Sequence, residues 1–171
     1  MATARQSRGT DVLLGAIAGL VATAVMTVAM HQFHRRLPPS QQYPLPPREI
    51  TEALAERAGA KAVEEGVLTS ASLVSHFGFG AVAGGFYGLF VSSQRRQPMG
   101  AGIGFGLMVW ATSYLGWLPA SGILQSATRH PLRRNALMIA AHLVWGSTLG
   151  MVVKQLAQAL PPFSGGELKD R

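Results

Sequence analysis

Four long runs of apolar residues, separated by shorter polar segments, dominate this sequence. The runs extend over about 12–30, 67–91, 99–118 and 135–153, and the longest polar loop, 31–66, separates the first two. A helix rises about 1.5 Å per residue, so about 20 residues cross the hydrocarbon core of a bilayer. The pattern therefore predicts an all-α fold: one domain, 1–171, that is an integral membrane bundle of four transmembrane helices.

The polar loop contains a helical pattern of its own. Residues 48–58 follow a pair of prolines and end at Gly59, and Ile50, Leu54 and Ala58 fall on one face. Proline before a helix and glycine after it are typical of helix boundaries. We expect one short interfacial helix that lies on the membrane or on the end of the bundle.

The first apolar run has a second interpretation. Arg5 and Arg8 precede it, and residues 22–24 read Ala-Thr-Ala, which has the form of a signal-peptide cleavage site. The run continues past that site to Met30, which favours a transmembrane helix.

Small residues recur at every fourth position in three of the runs. This spacing lets two helix backbones approach closely inside a membrane. The residues that we predict to pack helices in this way are Gly15, Gly19, Gly80, Gly84, Gly88, Gly146 and Gly150.

One motif occurs twice, at 76–84 and at 142–150. Each copy reads histidine, an aromatic residue three positions later, and glycine at the fourth and eighth positions. The copies lie in the second and fourth runs, which suggests two parallel copies of a two-helix unit. Chance similarity between glycine-rich membrane segments is the alternative. If the repeat is real, His76 and His142 lie at similar depth.

These two histidines are the only ionisable residues deep within the predicted spans, and such residues are costly in a membrane. Three roles remain open for them. Each imidazole could bond a neighbouring helix, with Ser75, Thr112, Ser147 and Thr148 as candidate partners. The pair could instead form a polar site for a small solute or a proton, or ligate a haem iron.

Other chemistry has little support. The chain has no cysteine, which excludes disulfides and thiolate sites. Its formal net charge is +7, but the positive residues flank apolar runs without interleaved aromatic residues, so nucleic acid is not an expected partner. His31 and His34 adjoin Arg35 and Arg36, which would repel a cation. We predict no catalytic residue, no metal and no cofactor.

The sequence resembles a family of small bacterial inner-membrane proteins. The segments that carry the resemblance are residues 15–27, residues 45–51 and the two histidine motifs. They are similar to uncharacterised inner-membrane proteins of the YagU type. The resemblance implies a multi-span protein of the bacterial inner (plasma) membrane. It does not imply any catalytic residues.

Orientation is not predicted by the charges. Seven Lys and Arg residues fall on the side that holds both termini and eight on the other, whereas the positive-inside rule needs an asymmetry.

The sequence as a whole predicts a non-enzymatic membrane protein. Besides the lipid bilayer, its expected partners are further copies of itself, as a homo-oligomer, or the subunits of a larger membrane assembly. Transport of a small solute or a proton through a bundle lined by His76 and His142 is the alternative, and a haem-binding electron carrier is the second alternative.

Overall fold

The computed structural model describes residues 8–60, 62–91 and 99–159, and within them the fold is all-α, as predicted. The helices are α1 (Arg8–Arg35), α2 (Pro46–Arg57), α3 (Glu65–Val91), α4 (Met99–Ala111), α5 (Leu118–Ala120) and α6 (Leu132–Ala159). Short 3-10 turns lie at Pro39–Gln41 and Ala127–Arg129. The basic residues Arg5, Lys61, Arg95, Arg96, Lys169 and Arg171, which entered the comparison of charges, lie outside the described residues.

Four helical segments are long and apolar enough to cross a membrane: Arg8–Arg35, Glu65–Phe90, Gly100–Ala120 and Leu132–Ala159. The first and last extend several residues beyond the predicted spans. Hydropathy detects only the apolar part of a helix, whereas the backbone hydrogen bonds continue through its polar ends. These segments place the chain in a bilayer.

The third span is not a regular α-helix. Between α4 and α5 the backbone widens into a π-helical turn, Thr112–Trp117, in which Gly116 has φ −107° and ψ −107°. Proline lacks an N–H group, so Pro119 cannot donate a hydrogen bond to the carbonyl of Leu115, four residues earlier. A π-turn is one way in which a helix accommodates such a defect.

The helix α1 lies at the centre of the bundle. It packs against both α3 and α6, and α4 packs on α6, whereas α3 and α4 make few contacts, among them that of Tyr87 with Phe105. The order across the bundle is therefore α3, α1, α6, α4. The short helix α2 packs on α3. This arrangement leaves space between α3 and α4 at the end of the bundle where α2 lies, which we call the α2 side.

Glycine stripes hold the two outer helices against the inner ones. A Cβ atom on Gly15 or Gly19 would overlap the carbonyl oxygen of Gly84 or Gly80, respectively, and one on Gly88 would overlap that of Asp11. The backbones of α1 and α3 are thus in direct contact, and no larger side chain fits between them.

The same packing joins α4 to α6. A Cβ on Gly102 would overlap the carbonyl oxygen of Gly146, and one on Gly106 would overlap that of His142. A Cβ on Gly150 would come within 3.4 Å of Gly102 Cα. The sequence analysis did not assign Gly102 and Gly106 to packing, although their spacing of four was a usable signal.

Candidate functional site

The two histidines of the repeated motif line one cavity. His76 and His142 lie at similar distances from the α2-side ends of their helices, which begin at Glu65 and Leu132. The cavity has a volume of about 240 Å³ and extends from the middle of the bundle to α2. It occupies the space that the sparse packing of α3 against α4 leaves open.

Five parts of the chain contribute to its wall. The lining residues are Thr23, Met26 and Met30 of α1; Pro47, Ile50 and Leu54 of α2; Ser75, His76, Phe79 and Gly80 of α3; Val109, Ser113, Tyr114, Trp117 and Leu118 of the third span; and Met138, His142 and Trp145 of α6. Most of them are apolar, and none of those described is an aspartate, glutamate, lysine or arginine.

The mouth of the cavity lies among three half-exposed side chains. Leu54 is 48% exposed, Phe79 45% and Trp117 46%, whereas the opposite wall, with Met30 and Trp145, is buried. These three residues belong to α2, α3 and the π-helical turn. The cavity therefore opens at the α2 side, between α3 and the third span.

Hydrogen bonding fixes the role of one imidazole. His142 is buried, and its Nδ1 lies 2.8 Å from the carbonyl oxygen of Met138 in its own helix. A carbonyl oxygen only accepts, so Nδ1 carries the proton and donates it to this bond. In the neutral ring, Nε2 is then an acceptor that is left for another molecule.

The second imidazole has an unused nitrogen. His76 Nε2 is buried and makes no hydrogen bond within the described part of the chain. A buried polar atom without a partner costs free energy. The surrounding side chains enclose this nitrogen, so His76 contributes other ring atoms to the cavity wall.

The hydrogen bonds of the two histidines differ from those expected first. Neither makes a described hydrogen bond to the hydroxyl groups of Ser75, Thr112, Ser147 or Thr148. Each of those hydroxyls instead bonds its own helix or makes no bond that the described residues show. Hydroxyl groups in helices readily bond the carbonyl one turn earlier, and sequence spacing does not reveal that competition.

The inner end of the cavity is closed by a polar link between α1 and α6. Trp145 Nε1 donates to Thr23 Oγ1 at 3.1 Å, and Thr23 Oγ1 donates to the carbonyl of Gly19 at 2.8 Å. Both side chains are buried. Every polar atom in this link is paired, so Thr23 and Trp145 position the wall and leave ligand contacts to the imidazoles.

The helix α2 is tied to the bundle by ion pairs. Glu49 pairs with Arg134 at the start of α6, and the Arg134 guanidinium lies 5.3 Å from the centre of the Tyr43 ring. Arg48 pairs with Glu65 at the start of α3 and with Glu52 of α2. The hydrogen bonds to Glu65, which has the larger effect, and to Glu52 raise the pKa of the Arg48 guanidinium.

A haem does not fit this site. A cavity of about 240 Å³ lies below the roughly 300–1,000 Å³ of typical drug-sized ligand sites. The described lining also offers no basic side chain for the two carboxylates of a haem. In the described part of the chain, no group of three or more His, Asp and Glu residues could hold a metal ion. His34 Nε2 instead lies 2.7 Å from the carbonyl oxygen of Tyr43.

Sequence reasoning missed the contribution of α2 and of the π-helical turn. Pro47, Ile50, Ser113 and Tyr114 carry no motif, and they reach the cavity only through the tertiary arrangement. Pro119, next to the turn, was the one available signal of an irregular backbone there.

Comparison with known proteins identifies a family. A family model described as a protein of unknown function (DUF1440) matches residues 20–151, a range that includes every residue that lines the cavity. The chain matches no curated protein and no solved structure.

Proposed function

We propose that the chain, which belongs to the DUF1440 family, binds a small and mostly apolar solute in the membrane, in the cavity lined by His76 and His142. The observation that carries the proposal is the cavity itself. Protein interiors are close-packed, and an apolar space of this size, beside a His142 Nε2 that no described residue bonds, is costly unless something occupies it.

Binding is favoured over passage through the membrane. Beyond His76 and His142 the space between α3 and α4 is filled by aromatic rings: the ring centroids of Tyr87 and Phe105 are 5.2 Å apart, and those of Phe105 and Trp145 are 6.1 Å apart. A solute that crossed would have to move these packed rings apart, whereas a solute that only binds would leave them in place. We therefore propose a solute-binding protein that catalyses no reaction, with its site open at the α2 side.

Association with other chains remains part of the proposal. The glycine stripes are occupied by contacts inside the chain, so a homo-oligomer or a larger assembly would use other surfaces. Exposed apolar side chains such as Val74 and Phe90 of α3 are available for lipid or for a partner. The resemblance to YagU-type proteins supports the bacterial inner membrane as the location.

The test uses indene, a neutral bicyclic hydrocarbon, and two matched variants. The Ser113→Phe variant fills the cavity, and the Thr112→Phe variant places the same ring at the exposed neighbouring position. A ligand that binds only the folded state stabilises it by about 2.7 kcal/mol at 100 times its Kd. The melting temperature of the detergent-solubilised protein reports this effect.

Indene is expected to raise the melting temperature of the unmodified protein and of the Thr112→Phe variant, and to leave that of the Ser113→Phe variant unchanged. Equal shifts in all three proteins would mean that indene acts through the detergent or the outer surface. No shift in any of them, up to the solubility limit, would also contradict the proposal.

A further inference from the structure

The residues that line the cavity limit the kinds of solute that it can bind. From the chemistry of that wall, we infer that the solute is a neutral compound of one or two rings that donates a hydrogen bond from an O–H or N–H group to the imidazole of His142. This inference rests on the proposed function and deepens it by naming the class of ligand.

The absence of charge in the described lining excludes ions. A charged group that leaves water for an apolar interior costs far more than a neutral one unless an opposite charge meets it. The charged residues of α2 have partners elsewhere: Arg48 pairs with Glu65 of α3, and Glu49 pairs with Arg134 of α6. None of these four residues lines the cavity. The solute is therefore neutral.

The size of the cavity limits the solute to a small ring system. An apolar cavity of roughly 150 Å³ is large enough for benzene, so about 240 Å³ accommodates a ring with a few further atoms or two fused rings. Flat side chains, including Phe79, Tyr114 and Trp117, line the space. Aromatic side chains favour ring ligands through stacked and edge contacts.

Hydrogen bonding determines which polar group the solute carries. Three donors in the wall are used inside the protein: Thr23 donates to Gly19, Ser75 to Ser72 and His142 Nδ1 to Met138. The hydroxyl groups of Ser113 and Tyr114, which make no hydrogen bond that the described residues show, can in addition donate to the solute. What His142 retains is the lone pair on Nε2. A solute with an O–H or N–H group completes that bond, whereas a solute with only acceptor groups leaves it unmade.

Indole and indene form a matched pair of probes for this inference. They share the same ring skeleton and number of non-hydrogen atoms, but only indole has an N–H donor. Their dissociation constants are measured by titration of the detergent-solubilised protein, and the ratio of the indene constant to the indole constant isolates the donor. The same ratio is measured for the His142→Phe and His142→Leu variants, either of which can serve if the other does not fold.

We expect the ratio to be about tenfold higher in the unmodified protein than in the His142 variants, as one hydrogen bond of about 1.4 kcal/mol requires. A ratio that is unchanged in both variants would overturn the inference. If indene still stabilises the protein, the proposed function survives that result. If neither probe binds, the proposed function fails as well.

Discussion

At the scale of single residues, the glycine stripes decide how closely the helices approach. Gly15, Gly19, Gly84 and Gly88 have no space for a side chain, because the partner backbone occupies the position where a Cβ would be. By contrast, nothing in the described structure lies within 4 Å of a Cβ placed on Gly78. Two glycines of the same helix therefore have different tolerances.

We predict that Gly84→Leu destabilises the protein by at least about 2 kcal/mol, because overpacking against backbone forces α1 and α3 apart. Gly78→Leu, at an exposed position of the same helix, is the control and is expected to be neutral or stabilising. Unfolding by a denaturing detergent measures both. Similar losses in the two variants would contradict the packing described here.

The hydrogen bond between Trp145 and Thr23 is the second residue-scale feature with a measurable energy. Thr23→Val keeps the shape of the side chain and removes the acceptor, and Trp145→Phe removes the donor. A double-mutant cycle is expected to give a coupling of about 0.6 kcal/mol, the average for hydrogen bonds between membrane helices, and at most about 1.7 kcal/mol. Additive effects of the two changes would show that the bond does not form.

His130, outside the membrane-spanning segments, gives the protein a dependence on pH. Burial, and then the charge of Arg134, lower the pKa of His130, and its Nε2 has no hydrogen-bond partner among the described residues. The unfolded chain therefore binds a proton more readily than the folded one. The contribution of His130 to the free energy of unfolding is fully present above the ordinary histidine pKa of about 6.5, and it decreases as the pH falls below that value.

We expect the melting temperature to drop between pH 7 and pH 5, and to drop less in a His130→Gln variant. The same decrease in both proteins would assign the effect to other groups.

At the scale of secondary-structure elements, α2 has the properties of a cover over the cavity. Its apolar side chains Ile50 and Leu54 line the cavity, and Glu49 forms an ion pair with Arg134 of α6. The side chain of Arg134 is 10% exposed and that of Glu49 is 22% exposed, so water screens this pair less than it screens a surface ion pair. The pair is therefore expected to hold α2 in place.

We predict that Glu49→Gln increases hydrogen exchange of the α2 backbone amides about tenfold, which corresponds to a loss of about 1.4 kcal/mol in local stability. Glu56→Gln, at an exposed position of the same helix, is the control and is expected to leave exchange unchanged. If exchange in α2 does not respond to Glu49→Gln, the pair with Arg134 does not hold the helix in place.

The elements also show what the sequence could predict. Hydropathy identified the four spans, and the residues around Gly59 identified α2, because length, apolar content and turn residues are local properties. The π-helical turn at Thr112–Trp117 could not be predicted with them. It depends on how Pro119 is accommodated by the surrounding helices, which a local pattern does not contain.

At the scale of the whole molecule, the two halves of the chain pack alike. Gly80 of the first histidine motif meets Gly19 in α1, and Gly146 of the second meets Gly102 in α4. Each motif helix is thus paired with the span that precedes it in the chain. The repeated motif indicated the two units, but it contained no information on how they are joined.

The cavity follows from the way in which the two units meet. Contacts between α1 and α6 join them, and α3 and α4 remain apart on the α2 side. The sequence indicated His76 and His142 as a pair at similar depth. It could not show that they share a cavity, because the distance between α3 and α4 depends on long-range packing that no spacing encodes.

The measurement that tests this account most directly is a crystal structure of the protein under xenon pressure. Xenon enters apolar cavities of this kind without requiring a particular ligand. The account predicts xenon density between His76, His142 and Tyr114, under α2. Well-packed side chains at that position, with α3 against α4 and no xenon density, would contradict the existence of the site.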